Sequence, residues 1–405
     1  MSKLLLAMFL AFTPTAFASI WYVDGVNGND GNDCKTRQTA CKTIGLAISL
    51  ASWGDTIGVR AATYTENLTI GISLKVIGSD PTTTIVDGGH AFTVFTISGK
   101  ANVTLSKLTI RNGYRVYIGG GVSNSGTLTI NNSAVSGNTA FNSCGQFCGA
   151  WGGGIANYGT LVINNSTVSG NLAYNSCVQH CFNAVGGGIY NDGTLTINNS
   201  TISGNTAHEY IHNYQHFYNL GLGGGIANIG TLSINNSTIS ANTASSAGAG
   251  IWNSAILQNS IVANNKGGDC FGTMTSHGYN LSSGGSCKLN GPGDMQDTDP
   301  LLGPLQNNGG PTQTQALLPG SRAIDAGNPS DCTDGQPRRR NPHSLSATKH
   351  RLRTCSQDIC WPLALNLVAR CMDTSGFGGP IPGLSSETMA RLLEHRQTGQ
   401  RTKEL

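Results

Sequence analysis

The sequence predicts an all-β fold, a right-handed parallel β-helix with a short helix covering its N-terminal end. Three observations support this prediction: a repeated unit of about 22 residues, short apolar–polar alternations inside each unit, and one upstream stretch with helical spacing. A single coil of such a fold cannot bury its own apolar side, so several stacked copies are needed to form a core.

Four copies of the repeat align along their whole length, and a shorter, degraded copy follows at Gly248. The complete copies are GGGVSNSGTLTINNSAVSGNTA from Gly119, GGGIANYGTLVINNSTVSGNLA from Gly152, GGGIYNDGTLTINNSTISGNTA from Gly186 and GGGIANIGTLSINNSTISANTA from Gly223. The five starts lie 33, 34, 37 and 25 residues apart, so the unit is constant and the insert behind it varies. This pattern predicts one coil per copy, with loops leaving the coils at one fixed corner.

Each unit contains short runs of Thr, Ile, Val and Leu separated by Gly and Asn. Leu195-Thr196-Ile197 alternates apolar with polar residues, and Ile202 lies between Thr201 and Ser203. Such runs predict three short strands per coil, with Ile189 stacked between Ile155 and Ile226. Asn pairs recur at one predicted corner, where we expect their amides to bond from coil to coil. These pairs are 131-132, 164-165, 198-199 and 235-236.

The first residues have the features of a signal peptide. Lys3 provides a positive start, an apolar stretch follows, and Ala16-Phe17-Ala18 forms a small-x-small cleavage site. We therefore expect cleavage before Ser19, and an exported chain. No later segment has the length and composition of a membrane-spanning helix.

Composition and pattern divide the chain into five predicted segments. Apolar residues at helical spacing in KTIGLAISLA, from Lys42, predict the helix that covers the open end of the stack. The segments are a signal peptide at 1–18, an entry loop and cap at 19–66, a parallel β-helix at 67–290 with regular repeats from 119, a C-terminal segment at 291–336 and a basic tail at 337–405.

The repeats and their flanking segments resemble a known family. The similarity rests on the GGGI-x-N units and on the opening WYVDGVNGND…CKTIGLAISLASWGDTIGVRAATYTENLTI. Both are similar to bacterial pectin-lyase-like β-helix proteins of the polymorphic outer-membrane type. Residues 297–329, DTDPLLGPLQNNGGPTQTQALLPGSRAIDAGNP, resemble the choice-of-anchor segment of such proteins. The resemblance implies the fold and export, but not an activity, because this fold carries lyases, hydrolases and adhesins.

After Gln336 the sequence departs from that family. Its members usually continue with Asp-Gln-Arg-Gly and a Cys that could pair with one like Cys332. Here three arginines follow, and 11 of the 24 Lys and Arg residues lie in 338–405. The tail at 337–405 is therefore interpreted as a different fused module, a disordered segment or the product of a shifted reading frame.

Twelve cysteines in an exported chain predict disulfides. Cysteines that are close in sequence suggest four local disulfides, each within a single loop, and we favour this pairing. A rival pairing would join Cys144 to Cys177 and Cys148 to Cys181. Each of these pairs is separated by 33 residues, which is also the distance between the repeat starts at 119 and 152, so equivalent cysteines of adjacent coils would lie close enough for a disulfide. The predicted local pairs are Cys34–Cys41, Cys144–Cys148, Cys177–Cys181 and Cys270–Cys287.

Charged residues are scarce on the regular coils. Between Val116 and Asn265 the only acids are Asp192 and Glu209, and Lys and Arg are absent. A hydrolase needs two carboxylates, and a lyase needs acids for Ca²⁺ and a base, so we expect no catalytic groove there. Nucleic-acid binding is not expected without a basic stripe.

Asp87-Gly88-Gly89-His90 has the composition of a catalytic fragment, but an Asp-Gly turn is the favoured interpretation.

Two segments contain residue types that bind metal ions. His208-Glu209-Tyr210-Ile211-His212 matches the H-E-x-x-H motif of zinc peptidases, with His216 on the same face if the insert were helical. Because the motif lies in an insert between β-coils, an ordinary polar loop is the favoured interpretation. No cofactor is expected, except that an N-terminal loop offers oxygen ligands for Ca²⁺ without EF-hand spacing. Those candidates are Asp24, Asn29, Asp30 and Asp33.

Aromatic residues concentrate in the inserts, which begin near Phe141, Tyr174 and His208. The four aligned units contain only Tyr158 and Tyr190. Inserts leaving from one corner stack into a ridge, so we expect their aromatics to bind a glycan or a surface protein. The alternative is that they pack on one another. The candidate binding residues are Phe147, Trp151, Tyr174, Phe182, Tyr210, Tyr214 and Phe217.

These observations favour a secreted or cell-surface protein without catalysis, which displays loops for adhesion or for carbohydrate or partner binding. The alternative is a carbohydrate-active enzyme, a polysaccharide lyase or hydrolase, with its site near one end of the helix. A third interpretation is a passenger domain that only spaces or shields.

Overall fold

The computed structural model describes residues 18–146, 149–179, 183–211 and 221–328. Over these residues the chain forms a right-handed parallel β-helix, in which successive coils place strands in three long parallel sheets. The fold predicted from the repeat is confirmed. No helix in the described part is long and apolar enough to cross a membrane.

The strands of each long sheet are parallel and follow one another in chain order. Sheet A consists of Ile20–Val23, Thr56–Val59, Leu74–Gly78, Asn102–Ser106, Thr127–Asn131, Thr160–Asn164, Thr194–Asn198, Thr231–Asn235, Ala255–Gln258 and Met274–Ser276. Sheet B consists of Ala62–Thr65, Thr84–Asp87, Thr109–Arg111, Ala134–Ser136, Thr167–Ser169, Thr201–Ser203, Thr238–Ser240, Ile261–Ala263 and Leu281–Ser282. Sheet C consists of Leu68–Ile70, Phe95–Ile97, Val122–Asn124, Ile155–Asn157, Ile189–Asn191, Ile226–Asn228, Ile251–Trp252 and Cys270–Phe271.

The core lies inside the coils and consists of aliphatic columns. Ile189 pairs in register with Ile155 on one side and with Ile226 on the other, as the sequence predicts. Leu195 and Ile197 point inward from the same strand of sheet A, and both are fully buried. Each such side chain contributes about 1.5–3 kcal/mol through burial. The alternation within each strand therefore decides which side faces the core.

The predicted Asn corner is confirmed. Asn164 donates from Nδ2 to Oδ1 of Asn131 at 2.8 Å, and Asn198 donates to Asn164 at 2.9 Å. The second Asn of each pair has a positive φ, 48° at both Asn165 and Asn199. Asn tolerates this left-handed conformation better than other residues except Gly, which explains its recurrence at the turn.

Two further Asn columns lie inside the coils. In the first, Asn157 donates to Asn191 and Asn191 donates to Asn228, both at 2.6 Å. In the second, Asn171 donates to Asn205 at 2.9 Å and Asn205 donates to Asn242 at 3.0 Å. All six residues are buried, so stacking satisfies amides that would otherwise lack partners in the interior.

The N-terminal end is covered by the helix Ile44–Leu50, as predicted. Thr43 caps this helix, and the carboxylate of Glu66 accepts hydrogen bonds from the first helical amides, Ile44 at 2.9 Å and Gly45 at 2.8 Å. Strands of sheets A and B already occur between Ile20 and Thr65. The stack therefore begins inside the segment 19–66 that the sequence analysis treated as an entry loop and cap.

The inserts are not simple loops, which corrects the sequence-based expectation. They begin as long strands that continue each coil outward, here called the arms, and pair in a parallel arm sheet. The arm sheet consists of Tyr114–Val116, Thr139–Gln146, Leu172–Gln179, Thr206–Ile211 and Thr243–Ala244. The return strands are Ala150–Trp151, Ala184–Val185 and Gly221–Leu222. Equivalent inserts start at equivalent backbone positions, so their edges meet and hydrogen-bond to one another instead of to water.

The C-terminal segment folds back along the coils. An antiparallel hairpin, Leu302–Gln306 with Thr314–Leu317, lies on the outer face of sheet B. Thr167 donates from Oγ1 to the carbonyl oxygen of Gln313 at 2.6 Å, and the side chains of Ser240 and Gln315 are hydrogen-bonded. The short 3-10 helix Gly285–Cys287 precedes the hairpin. That this segment anchors the protein stays a prediction.

Candidate functional site

The predicted aromatic ridge forms part of the outer face of the arm sheet. The rings of Tyr114, Phe141, Tyr174 and His208 stack one above another, with centroids 5.8, 5.6 and 5.7 Å apart. The planes of Phe141 and Tyr174 are within 5° of parallel. Tyr174 therefore has a ring on each side, and its faces are already used for packing between coils.

Trp151, another predicted binding residue, holds its return strand against sheet C. It is half-buried and packs on a second apolar cluster, separate from the main core, that contains Val185, Tyr190, Leu222 and Ala227. Two of these residues lie on return strands and two on the outer face of sheet C. The cluster therefore fixes the arms to the coils, and Trp151 has a packing role here.

The other five predicted ridge residues lie partly or wholly outside the described residues. Tyr210 lies on the arm strand Thr206–Ile211, but its side chain is outside the described residues. The remaining candidates lie wholly outside them; they are Phe147, Phe182, Tyr214 and Phe217. Binding by these residues stays a prediction.

The H-E-x-x-H motif begins on a strand. His208 and Glu209 are neighbours on Thr206–Ile211, so their side chains point to opposite faces: His208 is exposed, and Glu209 is buried. The helical arrangement that the zinc motif requires is therefore absent at these two residues, which lie on a strand and not in the polar loop that the sequence analysis favoured. His212 and His216 lie outside the described residues.

The N-terminal oxygen-rich loop uses its side chains to build turns. Asp24 accepts hydrogen bonds from the amides of Val26 and Asn27 and pairs with Arg60 at 2.6 Å. Asn29 accepts from the amide of Gly31 at 2.8 Å. The structure thus gives Asp24 and Asn29 roles in holding the entry loop.

The two remaining Ca²⁺ candidates also stabilise this loop. Asp30 accepts from the amides of Lys42 and Thr43, and Asp33 accepts from Thr39 at 2.6 Å. Across the described ranges, no three His, Cys, Asp or Glu side chains are grouped so that they could hold a metal ion.

Asp87 is a turn residue with an ion pair. It accepts from the amide of Gly89 at 2.9 Å, from Arg111 at 2.9 Å and from Asn112 at 2.8 Å. Burial opposes ionisation of this carboxyl, but the hydrogen bonds and Arg111 outweigh it and lower its pKa. An ionised, fully engaged carboxylate does not have the raised pKa of a general acid. The Asp-Gly turn favoured from the sequence agrees with this geometry.

The cysteine predictions are met at both ends of the stack. Disulfides link Cys34 to Cys41 and Cys270 to Cys287. In the arms, the backbone positions of Cys144 and Cys177 pair directly in register, which is the geometry on which the rival cross-coil pairing depends. Their side chains, and the whole of Cys148 and Cys181, are outside the described residues. The connectivity in the arms stays open.

A different surface, on the outer side of sheet C, carries four aromatic rings, of which Tyr158 and Phe271 are exposed. Two columns of residues face outward there, one at the second position of each strand and one at the turn that follows. Residues two apart on a strand face the same side, so the columns are neighbours about 6.6 Å apart, with about 4.8 Å between coils. We call this surface the aromatic strip; it consists of Tyr158, Tyr190, Asp192, Ile229, Trp252 and Phe271.

The members of the aromatic strip lie on consecutive coils. Asp192 follows Tyr158 by one coil and precedes Ile229 by one, as the amide of Asp192 donates to Asn157 and that of Ile229 to Asn191. Trp252 pairs in register with Phe271. Tyr158 is 39% exposed, Ile229 53% and Phe271 54%. Tyr190 is only 8% exposed and Trp252 is half-buried, because both pack in the cluster with Val185 and Leu222. The exposed apolar area of the strip therefore comes from Tyr158, Ile229 and Phe271.

Glycine fixes the backbone next to this strip. A Cβ at Gly159, Gly193 or Gly230 would collide with the carbonyl oxygen of the equivalent glycine one coil earlier. Since only glycine allows the turns to stack this closely, each residue directly before it is held at a repeating position. This column is what places Tyr158, Asp192 and Ile229 in line.

The electrostatics of the strip depend on one carboxylate. Asp192 is exposed, whereas Glu209, the only other acid between positions 116 and 265, is buried. The rings of Tyr158 and Tyr190 lie 5.9 Å apart, inclined by 58°. Burial raises the pKa of Tyr158 to about 12, and Tyr190 and Asp192 add to the shift. Both phenols are therefore neutral hydrogen-bond donors at physiological pH.

The aromatic strip was not among the predicted sites. Sequence analysis noted Tyr158 and Tyr190 only as the exceptions within the aligned units. The available signal was their position: aligning the copies places Tyr190, Ala227, Trp252 and Phe271 in one outward column.

Comparison with known proteins gives a likeness of fold. No family model matches the sequence, and no curated protein matches it. The chain is similar to solved structures of pectin methylesterases, among them PemA from Erwinia chrysanthemi and an enzyme in complex with a hexasaccharide. Both are 14% identical to this chain with a TM-score of 0.35, and each match covers 64% of this chain and 81% of the other.

Proposed function

We propose that this chain is an exported glycan-binding protein, secreted or exposed at the cell surface, that contacts sugar chains through the aromatic strip. The observation that carries the proposal is that the exposed rings of Tyr158 and Phe271 and the half-buried ring of Trp252 lie on one parallel sheet with the exposed carboxylate of Asp192. Export is supported by the signal-peptide features and by the two disulfides, which persist in oxidising compartments.

The side chains of the strip match the chemistry of a sugar ring. A pyranose has an apolar C–H face and a rim of hydroxyl groups. Aromatic rings such as Tyr158, Trp252 and Phe271 offer flat apolar area with little loss of side-chain entropy. The carboxylate of Asp192 accepts hydrogen bonds from hydroxyl groups, and bonds to a charged acceptor are stronger than neutral ones. Together they favour a ligand with alternating apolar and hydroxyl surfaces.

Charge indicates which glycans are favoured. The coils that carry most of the strip contain no Lys or Arg between positions 116 and 265, and their exposed charged residue is the acid Asp192. A polyuronate or sulfated glycan would meet this carboxylate without a compensating cation, which costs binding energy. We therefore propose a neutral glycan as the ligand.

The geometry of the strip favours an extended chain. Tyr158, Asp192 and Ile229 lie on successive coils about 4.8 Å apart, and their positions are fixed by the glycine column. A rigid surface loses little conformational entropy when it binds, which helps a shallow site that buries modest area. A sugar chain lying along the helix axis would contact several coils at once.

The experiment is a binding titration with neutral and acidic oligosaccharides. We expect the triple variant Tyr158→Ala, Trp252→Ala, Phe271→Ala to lose binding by at least about a hundredfold, since each ring contributes on the order of 1 kcal/mol or more. Asp192→Asn should weaken binding by about tenfold, the value of one charge-assisted hydrogen bond.

The matched control replaces two exposed aromatics elsewhere, Trp53→Ala and Phe92→Ala. These lie on the first coils, outside the aromatic strip, so binding should be unchanged. Thermal midpoints of all variants establish that the coils remain folded. Equal loss of binding in the control, or normal binding in the triple variant, would exclude the strip as the site.

The alternative, a carbohydrate-active enzyme, is tested with the same glycans. Release of reducing ends, unsaturated products or methanol from any polysaccharide would identify catalysis. If the triple variant kept that activity, the reaction would belong to a site elsewhere, such as one end of the helix.

A further inference from the structure

We propose that Asp55 is the docking site for the α-ammonium group of a chain processed directly before Ser19. The nitrogen of Ser19 donates to Oδ1 of Asp55 at 2.6 Å. Asp55 is only 3% exposed and Ser19 is half-buried, so the contact is partly shielded from water. This inference is independent of the proposed glycan binding.

The position of Ser19 is fixed from both sides. Its carbonyl oxygen accepts a hydrogen bond from the amide of Thr56 at 2.9 Å, which is the beginning of the pairing between the first two strands of sheet A. Ile20 starts the first strand directly after it. The nitrogen of Ser19 therefore reaches Asp55 as a consequence of the sheet register, without a mobile linker between them.

The second oxygen of this carboxylate is also engaged. Oδ2 of Asp55 accepts from Nε1 of Trp21 at 2.8 Å and from the amide of Ser52 at 2.8 Å. Burial disfavours the charged carboxyl, but these bonds and that from Ser19 outweigh burial and lower its pKa. Asp55 is thus ionised at neutral pH, although it is almost inaccessible to water.

Comparison with the neighbouring buried acids shows what Asp55 lacks. Asp24 pairs with Arg60 at 2.6 Å, and Asp87 pairs with Arg111 at 2.9 Å. Within the described residues no Lys or Arg nitrogen lies at ion-pair distance from Asp55. The ammonium group of Lys35 lies over the ring of Trp21 and lowers the pKa of Asp55 from beyond ion-pair distance, whereas an α-ammonium group at Ser19 would place a cation in direct contact with this buried carboxylate.

Processing creates this cation by hydrolysis of the bond between Ala18 and Ser19. Water adds to the carbonyl carbon of Ala18, the C–N bond breaks, and Ala18 leaves as a carboxylate. The nitrogen of Ser19 keeps the electron pair of that bond and takes up two protons, both supplied by the water, to become the α-ammonium group. Ala18 is exposed, so the bond lies at the surface. In the uncut chain the same nitrogen is a neutral amide and forms a weaker hydrogen bond.

The test compares three forms of the otherwise complete chain: one starting at Ser19, the same chain acetylated at Ser19, and one that retains Ala18. We expect acetylation or retention of Ala18 to raise the unfolding constant about tenfold, because either change removes the charge from the nitrogen that faces Asp55. The difference should disappear in the Asp55→Asn background.

Asp87→Asn is the matched control, because it also removes a buried carboxylate from an ion pair but leaves the Ser19 contact intact. In that background the effect of acetylation should persist in full. Equal stability of the free and acetylated chains would overturn the proposal, as would an acetylation effect that survives Asp55→Asn. If Asp55→Asn does not fold, the comparison of the three forms in the native background decides. Sequencing of the exported protein provides an independent check, since a mature chain that begins at another residue also overturns the proposal.

Discussion

At the scale of single residues, Asn has three different structural roles within one repeat. Asn191 bridges two coils in the buried interior, Asn198 forms part of the half-buried corner ladder, and Asn199 adopts the left-handed turn after it. A different property of Asn matters at each position. Asn191 provides an amide that is fully hydrogen-bonded in the core, Asn198 provides an amide that stacks at the corner, and Asn199 tolerates a positive φ.

The two ladders should differ in their contribution to stability. Asn191→Ala removes the donor to Asn228 and the acceptor for Asn157, both in the dry interior, so we expect the free energy of unfolding to fall by about 3 kcal/mol. Asn198→Ala breaks an equivalent pair of bonds where water can replace them, and should cost less than about 1 kcal/mol. Urea titrations of both variants measure the difference. Equal costs would contradict the distinction between interior and corner.

Sequence analysis could predict the corner Asn residues but not the binding surface, for a physical reason. Asn131 and Asn164 recur at one spacing, and a recurring residue reports a shared backbone requirement. The aromatic strip is the opposite case, because its two columns vary from copy to copy. The position of Tyr158 is Ser125, Asp192 or Ile229 in other copies, and the column of Trp252 and Phe271 also contains Ala156, Tyr190 and Ala227. Only the coil register reveals that these aromatic residues are neighbours.

At the scale of elements, the C-terminal hairpin covers residues that the repeat pattern alone marks as exposed. Thr201 and Ser203 flank the inward-facing Ile202, so they point outward, yet both are nearly inaccessible. Contacts from the hairpin to Thr167 and Ser240, on either side of them, account for this burial. The hairpin is thus a structural part of the β-helix.

A bulky charge under the hairpin should displace it without unfolding the coils. We expect Thr201→Arg to expose Leu302–Gln306 and Thr314–Leu317 to limited proteolysis, because the guanidinium cannot stay buried without a partner. Thr194→Arg, in the same coil but on the exposed row of sheet A, is the matched control and should leave the cleavage pattern unchanged. Resistance of the Thr201→Arg hairpin would show that Thr201 does not face it.

The elements that sequence analysis missed depend on contacts distant in sequence. The helix Ile44–Leu50 and the strands of each unit are marked by local spacing, so they could be predicted. The arm strands were interpreted as loops because their small polar residues give no alternating signal; they become strands only because Thr139–Gln146 meets Leu172–Gln179 edge to edge. The hydrogen bond between Thr167 and Gln313 joins residues 146 positions apart, so no local sequence pattern predicts it.

At the scale of the whole molecule, buried ionised acids are unevenly distributed. Asp24, Asp55 and Asp87 lie in the first coils, and the pKa of each is lowered. A hydrogen bond from the amide of Asn27 is the largest cause at Asp24, whereas at Asp55 and Asp87 hydrogen bonds outweigh a larger opposing effect of burial. The central coils, between positions 116 and 265, contain only two acids, the exposed Asp192 and the buried Glu209.

Acid should therefore unfold the N-terminal end first. A lowered folded-state pKa means that these acids contribute stability above their usual value of 3.8, and that this stability is lost as the pH falls through the folded-state values. We expect hydrogen exchange at low pH to increase over 20–111 before it increases over 122–263. Asp87→Asn should reduce the slope of stability against pH in that range. Simultaneous exchange along the whole stack would contradict this order.

The repeat that builds the columns also creates a hazard during folding. A chain that paired Leu128 with Leu195 and skipped the coil of Leu161 would still place leucine on leucine, and its Ile and Asn residues would match as well. The inserts remove this ambiguity, since repeat starts 33, 34, 37 and 25 residues apart give the arms unequal lengths and a slipped pairing would not close them. The inserts thus specify the order in which the coils stack, which the nearly identical 22-residue units alone cannot specify.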